Sequence, residues 1–406
     1  MRINSINNIS FKGYDAAPIK NLYMLSFADR AQKNVRKDLY KIGKRENFDV
    51  LVEEKDELYK DLQESKMNYM DTYKWSQDNK VFINSENGNY LLTSADQRIF
   101  NHKGQLHKIL GLEQKDSRVI FAGGNVFLGK KPDGEKYILV GNDVILDTAI
   151  REYLTDLDCW YGNDKDIRKF KDIEEEREEK ISFYSKSEYP RPTKKDFKEK
   201  EEIYAERVKQ FISEDFDVKK ENIFVVPQQI FHLDMFIRPI GYPYILVNSE
   251  EEAQNLVDNK LGLKENETDL PNQTYKYYRK QNKENKGIST QDVVTALKSQ
   301  GFEPIEVGGI FGLDGMVNFI NSVVNKHEDG SLTYITNSSA CDLKDYTLLE
   351  KKFAEQLKQK VPNIKKAYFI DGGRAGNINL MMENIWELSG GLHCLVCEEP
   401  NFEAWG

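Results

Sequence analysis

The chain has 406 residues, 39% hydrophobic and 31% charged, with a formal net charge of −9. That length is ample for a sizeable core and allows one large domain or two to three ordinary ones. The acidic balance argues against general affinity for nucleic acid or anionic membranes, which select basic faces. No apolar run approaches the roughly 18 residues of a membrane span. The four cysteines, Cys159, Cys341, Cys394 and Cys397, are too few for a disulfide scaffold. The opening residues carry no apolar signal core, so a cytoplasmic location is the default expectation.

In chain order, residues 1–65 read as an extension, flexible at first and then charge-rich and helical. Beyond it the texture changes. "KVFINSENGNYLLTS" (80–94) predicts a hairpin turning at Asn87-Gly88. "SRVIFAGGNVFLG" (117–129) and "KYILVGNDVIL" (136–146) are short apolar runs of the kind that form buried strands. Residues 163–220 alternate in charge sign and predict solvent-facing helix, read as an insertion; residues 249–300 form a second polar, helical insertion. Strand texture returns in "NIFVVPQQIFHLDMFI", "PYILVNS" and "EPIEVGGIF". A further hairpin is predicted through Asp329-Gly330, then a helix, "DYTLLEKKFAEQLKQKV", and final strands in "KKAYFID" and "LHCLVCE". Short strands interleaved with helices from residue 66 to 406 describe an α/β body of enzyme size.

Several residues are suited to chemistry. Cys394 and Cys397 form a CxxC, but no second pair exists to complete a zinc site, and a buried strand explains the spacing equally well. A nucleophilic Cys394 requires a partner that favours the thiolate, brought near by the fold. Gly390-Gly391 ahead of it permits close backbone approach. His232 and Asp234, two apart in strand-like sequence, are expected on one face; taken alone they read as a core histidine and a strand-edge aspartate, and the same pair can also supply a proton relay and an anchor for a cation. Asp78 in "WSQD" reads as a turn aspartate, and Gly123-Gly124-Asn125 as a tight turn rather than a phosphate loop.

The order of these motifs says more than any one of them. W-x-x-D (Trp75, Asp78), G-G-N (123–125), H-x-D (232–234), N-F-x-N (from Asn318) and G-G-x-H-C with a following proline (390–400) recur in sequence. This order resembles the pentein superfamily of guanidino-group-modifying enzymes. The texture is nearest to agmatine deiminase and bacterial peptidylarginine deiminase, and "FHLDMFIRPIGYPYILVN" also resembles the H-x-D strand of amidinotransferases. The resemblance spans roughly residues 70–400.

It implies a five-bladed α/β propeller of ββαβ units around a central site, interrupted here by the charged helical insertions. It also implies roles. Cys394 attacks the guanidinium carbon, His232 serves as acid and then base, and Asp234 and Asp78 clamp the cation. Gly123, Gly124 and Asn125 shape the pocket floor, Asn318 orients substrate or backbone, and Trp75 belongs to the substrate side. No cofactor or metal is implied. The expected partner is a cationic guanidino group, on a small molecule or an arginine side chain, and neither nucleic acid nor membrane. Paired carboxylates suit it because guanidinium is planar, always charged and rich in donors.

The chain departs from the pattern at Ala122, where an acidic residue is usual, at Gln77 in place of Arg, and at Val396 in place of Thr. Cys397 is an extra thiol whose oxidation could couple to Cys394. The expected reaction is hydrolysis of a guanidino group to a ureido product and ammonia. The alternatives are amidino transfer on the same site, or an arginine- or partner-binding relative without turnover.

Overall fold

The computed structural model describes residues 17–25, 30–53, 58–59, 80–95, 106–157, 167, 194–259, 270–284, 287–339, 344–375, 378–382, 385 and 390–404. Trp75, Gln77, Asp78, Cys159 and Cys341 lie outside them.

Among the described residues, one arrangement of strands occurs five times. Lys80–Ile83 pairs antiparallel with Tyr90–Thr93, which pairs parallel with Glu113–Asp116. The same order holds for Val126–Lys130, Lys136–Gly141 and Ile223–Val226, and for Ile237–Gly241, Tyr244–Asn248 and Glu303–Val307. It holds again for Ser322–Lys326, Leu332–Asn337 and Ile364–Ile370. An antiparallel partner is reached by a tight turn, whereas a parallel one needs a crossover, so each unit carries helix between its second and third strands. The hairpins turn where the sequence places Asn87-Gly88 and Asp329-Gly330; both glycines have positive φ, 113° and 78°.

The fifth unit joins the two ends of the chain. Ile19–Leu25 lies between Val396–Pro400, antiparallel to it, and Asp49–Glu53, parallel to it, so Tyr23 is flanked by Cys397 and Leu51. Residues 1–65 were expected to stand apart as an extension. The described part of that segment instead supplies the centre of this sheet, and the helix Arg30–Glu46 buries Val35, Leu39 and Ile42.

The crossover helices explain their own placement. Lys344–Lys360 presents Leu349, Phe353 and Leu357 at four-residue spacing, all fully buried against Phe319 and Tyr334. Each such side chain contributes about 1.5–3 kcal/mol on leaving water. The helix Glu201–Asp215 buries Tyr204, Val208 and Ile212, so this charged stretch has one apolar face as well as a solvated one. It lies in the second unit's crossover, and the helices Glu250–Asn259, Leu270–Glu284 and Thr290–Ser299 lie in the third's. No helix among the described residues is long and apolar enough to cross a membrane.

Three local expectations change. Residues 142–146 were read as strand, but a helix runs from Asn142 to Asp156 with Val144, Ile145, Thr148 and Ala149 buried. Its first turn is capped by Gln228, whose Oε1 accepts from the Asp143 N–H at 2.7 Å. His232 and Asp234 do not share a strand face; Leu233–Met235 is a 3₁₀ turn entered from His232. Cys394 also precedes its strand, in a short helix, Leu392–Leu395.

Candidate active site

The sequence motifs occupy one place in the repeat. Gly123–Asn125 leads into Val126–Lys130, Leu233–Met235 into Ile237–Gly241, and Leu392–Leu395 into Val396–Pro400. Asn318 to Asn321 likewise precedes Ser322–Lys326, and Asp78 precedes Lys80–Ile83 in the sequence. Each motif lies immediately before the first strand of its unit.

The turns are held by side-chain amides. Asn125 Oδ1 accepts from the Leu233 N–H at 2.9 Å, and its Nδ2 donates to the Phe231 carbonyl at 3.0 Å. Asn318 Nδ2 donates to the Met235 carbonyl at 2.9 Å, while its Oδ1 accepts from the backbone of Ile320 and Asn321. These bonds replace strand pairing and explain why "FHLDMF" turns instead of extending. Asn318, expected to orient substrate or backbone, and Asn125, expected on the pocket floor, both have their amides engaged by the backbone, with Gln228 Nε2 also donating to Asn125 Oδ1. They place His232 and Asp234 between them.

Gly124 and Gly391 leave room for this packing. A Cβ on Gly124 would sit 2.7 Å from His232 Nδ1 and 2.9 Å from Asp234 Oδ1. One on Gly391 would meet Asn321 Oδ1 at 2.6 Å and Asn337 Nδ2 at 2.7 Å. The unhindered Asn321 Oδ1 accepts from the His393 N–H at 2.8 Å, and Asn321 Nδ2 reaches Cys394 Sγ at 3.3 Å.

His232, Asp234 and Cys394 each offer one atom to a group lying within 4.8 Å of one another. A nitrogen, a carboxylate oxygen and a sulfur at that span can surround a guanidinium; the same donor set is also one that a metal ion accepts. Cys394 is 3% exposed and Asp234 1%. The thiol donates to Asp234 Oδ2 at 3.4 Å, and His393 Nδ1 lies 2.9 Å from the same oxygen. Asp234 Oδ1 and His232 Nδ1 have no hydrogen-bond partner among the described residues.

Burial pushes the Asp234 carboxyl upward. The hydrogen bond and charge of His393, the charge of His232 and the Cys394 thiol outweigh that and hold it below the ordinary aspartate range. Behind His393, Glu398 Oε1 approaches its Nε2 at 3.3 Å and takes a 2.8 Å ion pair from Arg238. Burial raises Glu398, yet Arg238 and His393 bring it down to about 2.

Cys397 belongs elsewhere. It packs with Tyr23, Leu51 and Phe82, whereas Cys394 packs with Met235 and Ile385, and both remain thiols. The oxidative coupling suggested by their spacing finds no support in this separation. Asn321, His393, Glu398 and Arg238 were not expected at the site. Asn321 closes the N-F-x-N motif and His393 stands within G-G-x-H-C, so two had a signal; Arg238 and Glu398 had none.

No protein-family model matches the sequence, and no curated protein does. Among solved structures, the chain is similar to a cysteine-to-serine variant of agmatine deiminase from C. jejuni with substrate bound. The likeness is at 14% identity, over 95% of this chain and 94% of that one, with a TM-score of 0.51. It is also similar to C. jejuni agmatine deiminase at 15% identity, over 97% and 99% of the two chains, with a TM-score of 0.49. A peptidyl-arginine deiminase, so described provisionally, aligns at 12% identity over 95% and 96%, with a TM-score of 0.48. The likeness is one of fold: a mixed α/β fold shared over nearly the whole chain with the substrate-bound C. jejuni structure.

Proposed function

We propose that the protein hydrolyses a guanidino group through Cys394, with ammonia and a ureido compound as products. The observation that carries this reading is Asp234 Oδ1, a buried acceptor without a hydrogen-bond partner among the described residues, beside a thiol and an imidazole. An unpartnered buried carboxylate oxygen is costly unless a cation completes it. A guanidinium does so, and its charge favours the thiolate it will meet. The likeness to deiminase structures supports the same reading.

In this reading Asp234, together with Asp78, clamps the cation, and Trp75, Gly123 and Gly124 border it. The Cys394 thiolate forms a bond to the guanidinium carbon. The C–N bond to the departing nitrogen breaks as His232 protonates it, and ammonia leaves a thiouronium adduct. His232 then takes a proton from water as the water attacks the same carbon. The C–S bond breaks, and the carbon leaves as a urea with the thiolate restored. The five repeated units act as blades of a propeller, with the motifs converging at one end. The substrate class is arginine, an arginine derivative or a peptidyl arginine.

A colorimetric ureido assay across arginine, agmatine, methylarginines and arginine peptides tests this. Product formed by the unaltered protein and abolished by Cys394→Ala supports it. An unchanged rate in Cys394→Ala overturns it.

A further inference from the structure

Cys394 is followed outward by a line of polar groups that the proposed chemistry does not use: His393 and Arg238, both buried, and between them Glu398, which is part-exposed. His393 precedes the thiol in sequence, but its ring leads away from the sulfur. Nδ1 lies 2.9 Å from Asp234 Oδ2, and Nε2 lies 3.3 Å from Glu398 Oε1. Glu398 is held in turn by Arg238 at 2.8 Å, and the Arg238 guanidinium lies 5.6 Å from the Phe127 ring centre. The same Phe127 ring stacks on His393 at 5.7 Å and 25°. The His393 N–H is fixed by Asn321, whose other end reaches Cys394. The side chain is 3% exposed. Such a ring has little freedom, and both nitrogens meet carboxylates.

Resting on the functional reading above, we propose that His393 is the positioning residue that aims Asp234. By occupying Oδ2 from behind, it leaves Oδ1 turned toward Gly124 and His232, where the guanidinium binds. It touches neither the substrate nor the reacting atoms. Glu398 and Arg238 fix the ring from the far side, so the orientation of Asp234 is inherited from the strands Val396–Pro400 and Ile237–Gly241. The charged and titratable groups facing this line are His232, Cys394, Glu398 and Arg238. The proposal concerns their geometry, not their titration.

The test compares the unaltered protein with His393→Leu, His393→Gln and Glu398→Gln. The probe is methylguanidinium protecting Cys394 from iodoacetamide, read by peptide mass spectrometry in a Cys397→Ala background. His393→Leu is expected to weaken protection about tenfold or more while alkylation without ligand changes less than about threefold. His393→Gln, which keeps an N–H for Asp234, should recover most of the loss. Unchanged protection in His393→Leu overturns the proposal. So does unliganded alkylation that rises in step with lost protection, because that reports a loosened core.

A second readout does not depend on substrate. In protein carrying isotope-labelled histidine, the His393 ring N–H resonance, assigned by its loss in His393→Gln, should shift in Asp234→Asn and in Glu398→Gln. Insensitivity to both overturns the proposal. If methylguanidinium protects nothing, the functional reading fails, while the resonance still decides whether His393 is coupled to Asp234.

Discussion

Asp234 and Cys394 share one oxygen and leave the other: the thiol reaches Oδ2 at 3.4 Å, while Oδ1 meets no donor among the described residues. The carboxylate is thus half-engaged, with its open half inside the protein. Asp234→Asn should leave the chain folded and raise KM for a guanidino substrate. Leaving one charge of a buried pair uncompensated costs about 3–5 kcal/mol, so kcat/KM should fall by about two to three and a half orders of magnitude. Steady-state kinetics on the variant checks this; a KM unchanged from the unaltered protein contradicts it.

Gly124→Ala probes the same oxygen from the opposite side. Its Cβ would lie within 2.9 Å of Asp234 Oδ1 and 2.7 Å of His232 Nδ1. Neither can yield freely, because Asn125 and Asn318 bind the turn that carries them. The expected result is a loss of about tenfold or more in kcat/KM. Thermal unfolding of the variant, measured alongside, should show a cooperative transition.

Cys397 provides the contrast within the same CxxC. Cys397→Ala removes a buried sulfur packed with Tyr23 and Phe82, so it should cost about 1–2 kcal/mol of stability and leave turnover intact. Mild peroxide should yield no Cys394–Cys397 disulfide, read as the mass of the intact C-terminal peptide. Formation of that disulfide at high yield would contradict the separate packing of the two thiols.

Acid stability follows from Glu398. Its folded pKa lies at about 2, against an ordinary 4.5. A depressed carboxylate stabilises the folded state fully above the unfolded value, and that stability is lost as pH falls through the folded one. Glu398 should therefore contribute at most about 3 kcal/mol above pH 4.5, withdrawn between there and about pH 2. Denaturant unfolding at stepped pH should show a shallower acid decline in Glu398→Gln than in the unaltered protein.

Much of this was legible beforehand where a local rule operated. Asn87-Gly88 and Asp329-Gly330 declared their hairpins because left-handed turn positions favour those residues. Leu349, Phe353 and Leu357 declared their helix through spacing. His232, Asp234 and Cys394 are singled out by motif order, and one atom of each lies within 4.8 Å of the others; their roles are proposals. What failed was local geometry set by distant partners. "FHLDMF" has strand composition, but Asn125 and Asn318 capture its backbone and turn it. "GNDVIL" has strand composition too, yet Gln228 caps it as a helix. Ile19–Leu25 could not be assigned to a sheet closed by Val396–Pro400, because nothing local marks a partner almost four hundred residues away. Arg238 and Glu398 were invisible for the same reason: on their own strands they read as ordinary charged positions.

The most direct test of the central claim is mass spectrometry of protein quenched by acid during turnover of a guanidino substrate. The account predicts an adduct on the peptide containing Cys394, equal to the substrate less ammonia, that disappears when substrate is exhausted and is absent from Cys394→Ala. Ureido product formed with no such adduct, and at an undiminished rate by Cys394→Ala, would contradict it.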